Sequence, residues 1–186
     1  MKKLSNWLYR MSTGWLTLAA LAGFLLFTAL VLPGQSQQAR ANSGGAGTPD
    51  LSFIYTADDL YRMAEAYGPD GRQAYIRARF TFDLVWPLVY TCFLATSLSW
   101  ALGRALPESS RWRTLNLVPL AAALFDYLEN VATSLVIGRY PAATPGIDVL
   151  ATFFTPLKWI LLGLGFAFLA IGLVLAAVQR IQKPKS

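Results

Sequence analysis

Phe125-Asp126-Tyr127-Leu128-Glu129-Asn130 lies in the middle of an otherwise apolar run from Leu115 to Gly138. Asp126, Glu129, Asn130 and Thr133 recur at i, i+3, i+4 and i+7, which on a helix makes one polar stripe. Lipid cannot solvate that stripe. A charged side chain near a bilayer centre costs about 2.5–3.5 kcal/mol even on the mildest scales, so two carboxylates one turn apart must face protein, water or each other. The expectation is a membrane protein with a buried acidic site.

Composition extends this reading outward. The 186 residues are 55% hydrophobic and only 14% charged, with the apolar residues gathered into a few long runs rather than spread at core periodicity. That predicts an all-α fold: a polytopic membrane protein, a four-transmembrane-helix bundle with a short extracytoplasmic amphipathic helix, forming one membrane domain over residues 1–186. The net charge of +6 is topological. Lys2, Lys3 and Arg10, then Arg104, Arg111 and Arg113 against Glu108, then Arg180, Lys183 and Lys185, sum to about +8 on the segments placed inside, and the other two loops to about zero. Both termini are therefore expected in the cytoplasm, and compact loops suggest a bacterial inner membrane. No basic patch is interleaved with aromatics, so no nucleic-acid partner is expected.

Absent residue types narrow the chemistry. Without histidine there is no His-ligated haem, no His-based triad and no zinc site of the usual nitrogen type. Cys92 stands alone, which excludes an internal disulfide or a Cys-x-x-Cys redox pair. No cofactor and no metal are expected. The loops hold no phosphate-cradling glycine loop and no nucleophile elbow.

The first span is expected over residues 13–32, with about 30 Å of helix. A cleaved signal peptide competes, given Lys2, Lys3 and the small residues of Ala39-Arg40-Ala41; a retained helix is preferred because the apolar stretch exceeds a signal core. Residues 34–52 are rich in Gln, Ser, Gly and Ala and read as a flexible linker. Thr56 is placed as the N-cap of an amphipathic helix over 56–67, with Asp58 and Asp59 in its first turn and Gly68-Pro69 ending it. The second span covers 80–102, the third 115–138 and the fourth 149–178. Trp7, Trp15, Trp100, Trp112 and Tyr140 near span ends read as interfacial anchors. Trp86-Pro87-Leu88-Val89-Tyr90 and Thr155-Pro156-Leu157-Lys158-Trp159 fall at similar depth, where a degenerate two-hairpin repeat is an alternative to coincidence over five residues.

Counting 1.5 Å per residue from the outer ends puts Glu129 roughly 14 Å down the third span and Lys158 roughly 12–14 Å down the fourth. Antiparallel neighbours joined by a short loop pack together, so a Glu129–Lys158 ion pair is predicted, with Asn130 and Thr155 beside it. One lysine cannot neutralise two acids, which makes Asp126 the candidate proton-exchanging group. Asp83 is expected to pair with Arg79 four residues earlier. It shares a face with Tyr90, and Pro87 frees a backbone carbonyl one turn before it. The candidate ligand-binding set is thus Asp126, Glu129, Asn130, Lys158, Asp83, Tyr90 and Trp159, with catalytic residues unassigned.

Three functions fit this pattern. The preferred one is a membrane protein that binds a lipid or amphiphile, or serves as an accessory subunit, at a site opening to the extracytoplasmic side. The alternatives are an acid/base enzyme on a lipid-like substrate and a proton-coupled small transporter. The plain structural alternative is a polar network that fixes helix register. Partners expected are the lipid bilayer, an amphiphile and, through the small residues Gly163, Gly165 and Ala167, a second copy of the chain.

Overall fold

The structure is a computed structural model that describes residues 1–182; Lys183 and Lys185 of the basic C-terminal segment lie outside the described residues. Every regular element among the described residues is helical. In chain order these are α1 (Lys2–Met11), α2 (Gly14–Leu30), α3 (Leu32–Asn42), a 3-10 turn at Pro49–Leu51, α4 (Ala57–Arg79), α5 (Phe82–Ala105), a 3-10 segment at Arg111–Leu117, α6 (Val118–Arg139) and α7 (Ile147–Gln182). Four helical stretches are long and apolar enough to cross a membrane: Gly14–Asn42, Ala57–Ala105, Arg111–Arg139 and Ile147–Gln182. Each contains one of the four runs read from the sequence, and by length and composition the set is compatible with an integral membrane protein.

Two stretches differ in detail from the expectation. Where the composition of residues 34–52 suggests a flexible linker, α3 occupies 32–42, with Pro33 in its first turn. Proline there forfeits only an N–H that has no helical acceptor, and Gln, Ala and Arg after it are good helix formers. Helix α4 begins as expected: Thr56 Oγ1 accepts from Asp59 N at 3.2 Å, and Asp59 Oδ2 accepts from Thr56 N at 2.8 Å. Gly68 breaks the helix at φ 63°, ψ 179°, a conformation that suits glycine, but helix resumes at once and runs to Arg79. Arg72 Nη1 donates to the Ala64 carbonyl at 3.0 Å, serving a carbonyl that lies just before the break.

The described residues group into two compact units where composition suggests one domain. Unit 1 comprises residues 1–25, 89–122 and those from 160 onward; unit 2 comprises residues 26–88 and 123–159.

Unit 1 packs Leu94, Leu98, Ala101 and Leu102 of α5 at its centre. Phe24 stacks on Phe93 with centroids 4.6 Å apart, and Phe166 leans on both. Gly165 and Gly172 let α7 approach α5: a Cβ on Gly172 would lie 3.2 Å from Leu102. Helix α1 is held by a buried polar knot. Asn116 Nδ2 donates to Ser99 Oγ at 2.9 Å and to the Ser5 carbonyl at 3.2 Å, and Ser5 Oγ donates to Asn116 Oδ1 at 2.8 Å. Both N–H donors of that amide are used and its oxygen accepts a hydrogen bond, which is what makes it tolerable in an apolar setting. Tyr9 adds a 2.8 Å bond to the Arg113 carbonyl, with the Arg113 guanidinium 4.0 Å above its ring.

Unit 2 has a core of Tyr55, Leu60, Met63, Ala64, Tyr67 and Tyr75 packed on Ala132, Val136, Ile137 and Ala151. Leu60, Met63, Ala64 and Tyr67 are the apolar face read from the i, i+3, i+4, i+7 spacing, here turned onto α6 and α7. Glycines bring α3 and its exit close to α4: a Cβ on Gly71 would meet the Asn42 carbonyl oxygen at 2.5 Å.

Candidate functional site

The site lies in unit 2 and grows from the polar stripe of α6. At i, i+3, i+4 and i+7, the side chains of Asp126, Glu129, Asn130 and Thr133 are all buried, Glu129 and Thr133 completely. Lys158 of α7 meets them. Its ammonium forms an ion pair with Glu129 Oε2 and lies 3.4 Å from Asp126 Oδ1. The pairing expected from equal depth on consecutive helices is therefore present.

Helix α5 contributes the next ion. Asp83 Oδ2 pairs with Arg79 Nε at 2.8 Å, the i, i+4 contact anticipated from the sequence. Pro87 lacks the N–H that would bond the Asp83 carbonyl, and Asn130 Nδ2 donates to that carbonyl at 3.4 Å instead. One residue on, the Tyr127 hydroxyl donates to the Leu84 carbonyl at 2.9 Å.

Asp50 joins these groups, and the sequence reading missed it. The Thr48-Pro49-Asp50 turn carries its carboxylate to Arg79, with which it pairs, and to Lys158 Nζ at 3.6 Å. Trp159 Nε1 donates to the Asp50 carbonyl at 3.2 Å. The signal was local: Thr-Pro-Asp is a helix-start or turn pattern that directly follows the glycine-rich residues 44–47. The result is one chain of ion pairs, Asp83 to Arg79 to Asp50 to Lys158 and on to Asp126 and Glu129.

Aromatic and hydroxyl groups close around it. Thr155 Oγ1 donates to Glu129 Oε1 at 2.6 Å and lies 2.9 Å from the Tyr55 hydroxyl. Tyr75 donates to Thr133 Oγ1 at 3.1 Å, and the Arg79 guanidinium sits 4.7 Å from the Tyr75 ring centre. Lys158 Nζ is 5.7 Å from the Trp159 ring centre. Of the seven candidates, Asp126, Glu129, Asn130, Lys158, Asp83 and Trp159 meet in unit 2, whereas Tyr90 is buried in unit 1.

Electrostatics outside the apolar spans follow from these contacts. Burial alone would push the Asp50 carboxyl up, but the Arg79 guanidinium and then the Lys158 ammonium outweigh it and hold the group below the usual carboxylate range. Burial pushes the Tyr55 phenol well above its ordinary value, so it remains a neutral hydroxyl. Within the ion-pair chain two cations serve four carboxylates, a formal excess of two negative charges. Among the described residues, no three His, Cys, Asp or Glu side chains converge as metal ligands. Such an arrangement can bind protons or a positively charged guest, and can hold a hydrogen-bond donor on several oxygens at once.

Comparison of the chain with protein-family models, with curated proteins and with solved structures finds no match.

Proposed function

We propose that the chain is an integral membrane protein whose ion-paired cluster binds the headgroup of a lipid or other amphiphile and performs no chemistry on it. The observation that supports this reading is the cluster itself: six ionisable side chains drawn from the 49–51 turn, α4, α5, α6 and α7. Register between two helices is secured more cheaply by Ser, Thr or Asn, and ion pairs buried from water gain little net stability over well-packed apolar residues. Ionisable groups at such positions mark ligand or ion sites by default.

The apolar helices supply the rest of the reading. Helix α2 buries none of its residues, and α7 leaves Ile160, Leu164, Phe166, Ile171 and Val174 uncovered, a surface suited to acyl chains. With the basic segments Lys2–Arg10 and 104–113 in the cytoplasm, the 43–56 segment, the first half of α4 and the α6–α7 turn lie outside, in a bacterial inner membrane. The first half of α4 then covers the extracytoplasmic mouth of the cluster. Gly163, which has open space around it, provides a face for a second copy.

Native mass spectrometry of the full chain from a mild detergent tests the reading. A retained lipid, lost in Asp126→Asn while helicity is unchanged, is the expected result. Lipid-free protein from every detergent, together with a loss of folding in the charge variants as the only effect, would leave a purely structural network.

A further inference from the structure

We infer that the amphiphile taken by this cluster carries a cationic, ammonium-type headgroup. This rests on the binding reading above and deepens it.

Charge is the first observation. Arg79 and Lys158 are both committed, Arg79 to Asp50 and Asp83, Lys158 to Asp50, Asp126 and Glu129. An anionic headgroup would add a further negative charge to the formal excess of two, at contact distance and away from water. A cationic one reduces that excess.

The second observation concerns hydrogen bonding and is independent of charge. Asn130 is 3% exposed; its Nδ2 is fixed on the Asp83 carbonyl, while its Oδ1 has no hydrogen-bond partner among the described residues. Asp50 Oδ2 is likewise buried without one. Unfilled sites at the cluster thus include two acceptors, and a buried acceptor left unmade costs about 1–3 kcal/mol. A primary ammonium brings three donors and no acceptor, the complement of what is there. A carboxylate or phosphate brings acceptors to acceptors.

Access and selectivity come from Trp159. It is 37% exposed, the least covered residue of the cluster, and it is tied to Asp50 through its indole nitrogen. Its ring face, already near the Lys158 ammonium, can take a second cation at the edge of the site. Among the described residues the carboxylates do not converge as metal ligands, which favours an organic ammonium over a metal ion.

The test uses the full chain in nanodiscs and three probes with one tail length: dodecylamine, dodecanoate and dodecanol. Binding is read by native mass spectrometry and by the shift in thermal midpoint. Dodecylamine should bind saturably and at least roughly ten-fold tighter than either other probe. Asp126→Asn should erase that preference; because it can also disturb folding, Trp159→Leu is measured beside it and should weaken the amine selectively. Dodecanoate binding as tightly as dodecylamine would overturn the cationic headgroup and leave amphiphile binding standing. Binding of none of the three, with no lipid retained on purification, would overturn both. Equal response to all three would show that the tail alone is recognised, which also overturns the inference.

Discussion

Lys158 is the residue on which the cluster turns, because Glu129 is fully buried and has no other cation in contact among the described residues. Removing one partner of a buried pair strands the other, which costs about 3–5 kcal/mol, whereas replacing both with apolar residues is often neutral. Lys158→Met should therefore lower stability by about that much, and Lys158→Met with Glu129→Leu should recover only part of it, because Asp126 and Asp50 also lose the ammonium; chemical unfolding in detergent measures both. Asp50 sets a pH dependence. Its folded-state carboxyl is held below its unfolded value, so it contributes stability that is fully present above the unfolded pKa and is lost as pH falls through the folded one. Wild type should exceed Asp50→Asn in stability near neutrality, and the gap should close on acidification, as followed by thermal midpoints across a pH series. At this scale the sequence was legible where periodicity constrains it. The Glu129–Lys158 and Arg79–Asp83 pairs follow from rise per residue and i, i+4 spacing. Asp50 does not, because a stretch of Gln, Ser, Gly and Ala has no period from which to place a carboxylate against helices remote in sequence.

Helix α4 shows how an element reads from sequence in part. Its N-cap and the apolar face of its first half were visible in Thr56, Leu60, Met63, Ala64 and Tyr67. Gly68-Pro69 reads as its end, with helix expected again from about Arg72; the structure resumes the helix directly after Gly68, and Arg72 reaches back to the Ala64 carbonyl across the break. The close approach of α3 to α4 depends on Gly71, where a methyl group would press on the Asn42 carbonyl at 2.5 Å. Gly71→Ala should cost about 1–3 kcal/mol by displacing backbone, despite the better helix propensity of alanine. Gly163→Ala, with nothing within 4 Å of the added carbon, should leave unfolding unchanged or slightly improved. Parallel melts of the two variants decide the matter, and equal losses would show that both glycines are set by helix packing that the contacts above omit.

For the whole molecule, the proposed orientation makes a labelling prediction. Cys92 is the only cysteine, so Cys92→Ser gives a blank background. On that background Glu65→Cys, exposed on α4, should react in intact cells with an impermeant maleimide, and Glu108→Cys, exposed between α5 and α6, only after permeabilisation. The reverse pattern would invert the topology and put the ion-paired cluster on the cytoplasmic side. The four apolar runs and their count were legible from composition alone. The docking of α1 was not, because Ser5 and Asn116 are ordinary residues until the chain brings them together. That contact spans 111 positions in sequence. At a synthesis rate of about 5–20 residues per second, the ribosome has delivered α1 on the order of ten seconds before its binding partner leaves the exit tunnel. A finished helix must therefore wait for its anchor, and the knot that secures it can be tied only after the 111 residues that separate Ser5 from Asn116 have been made.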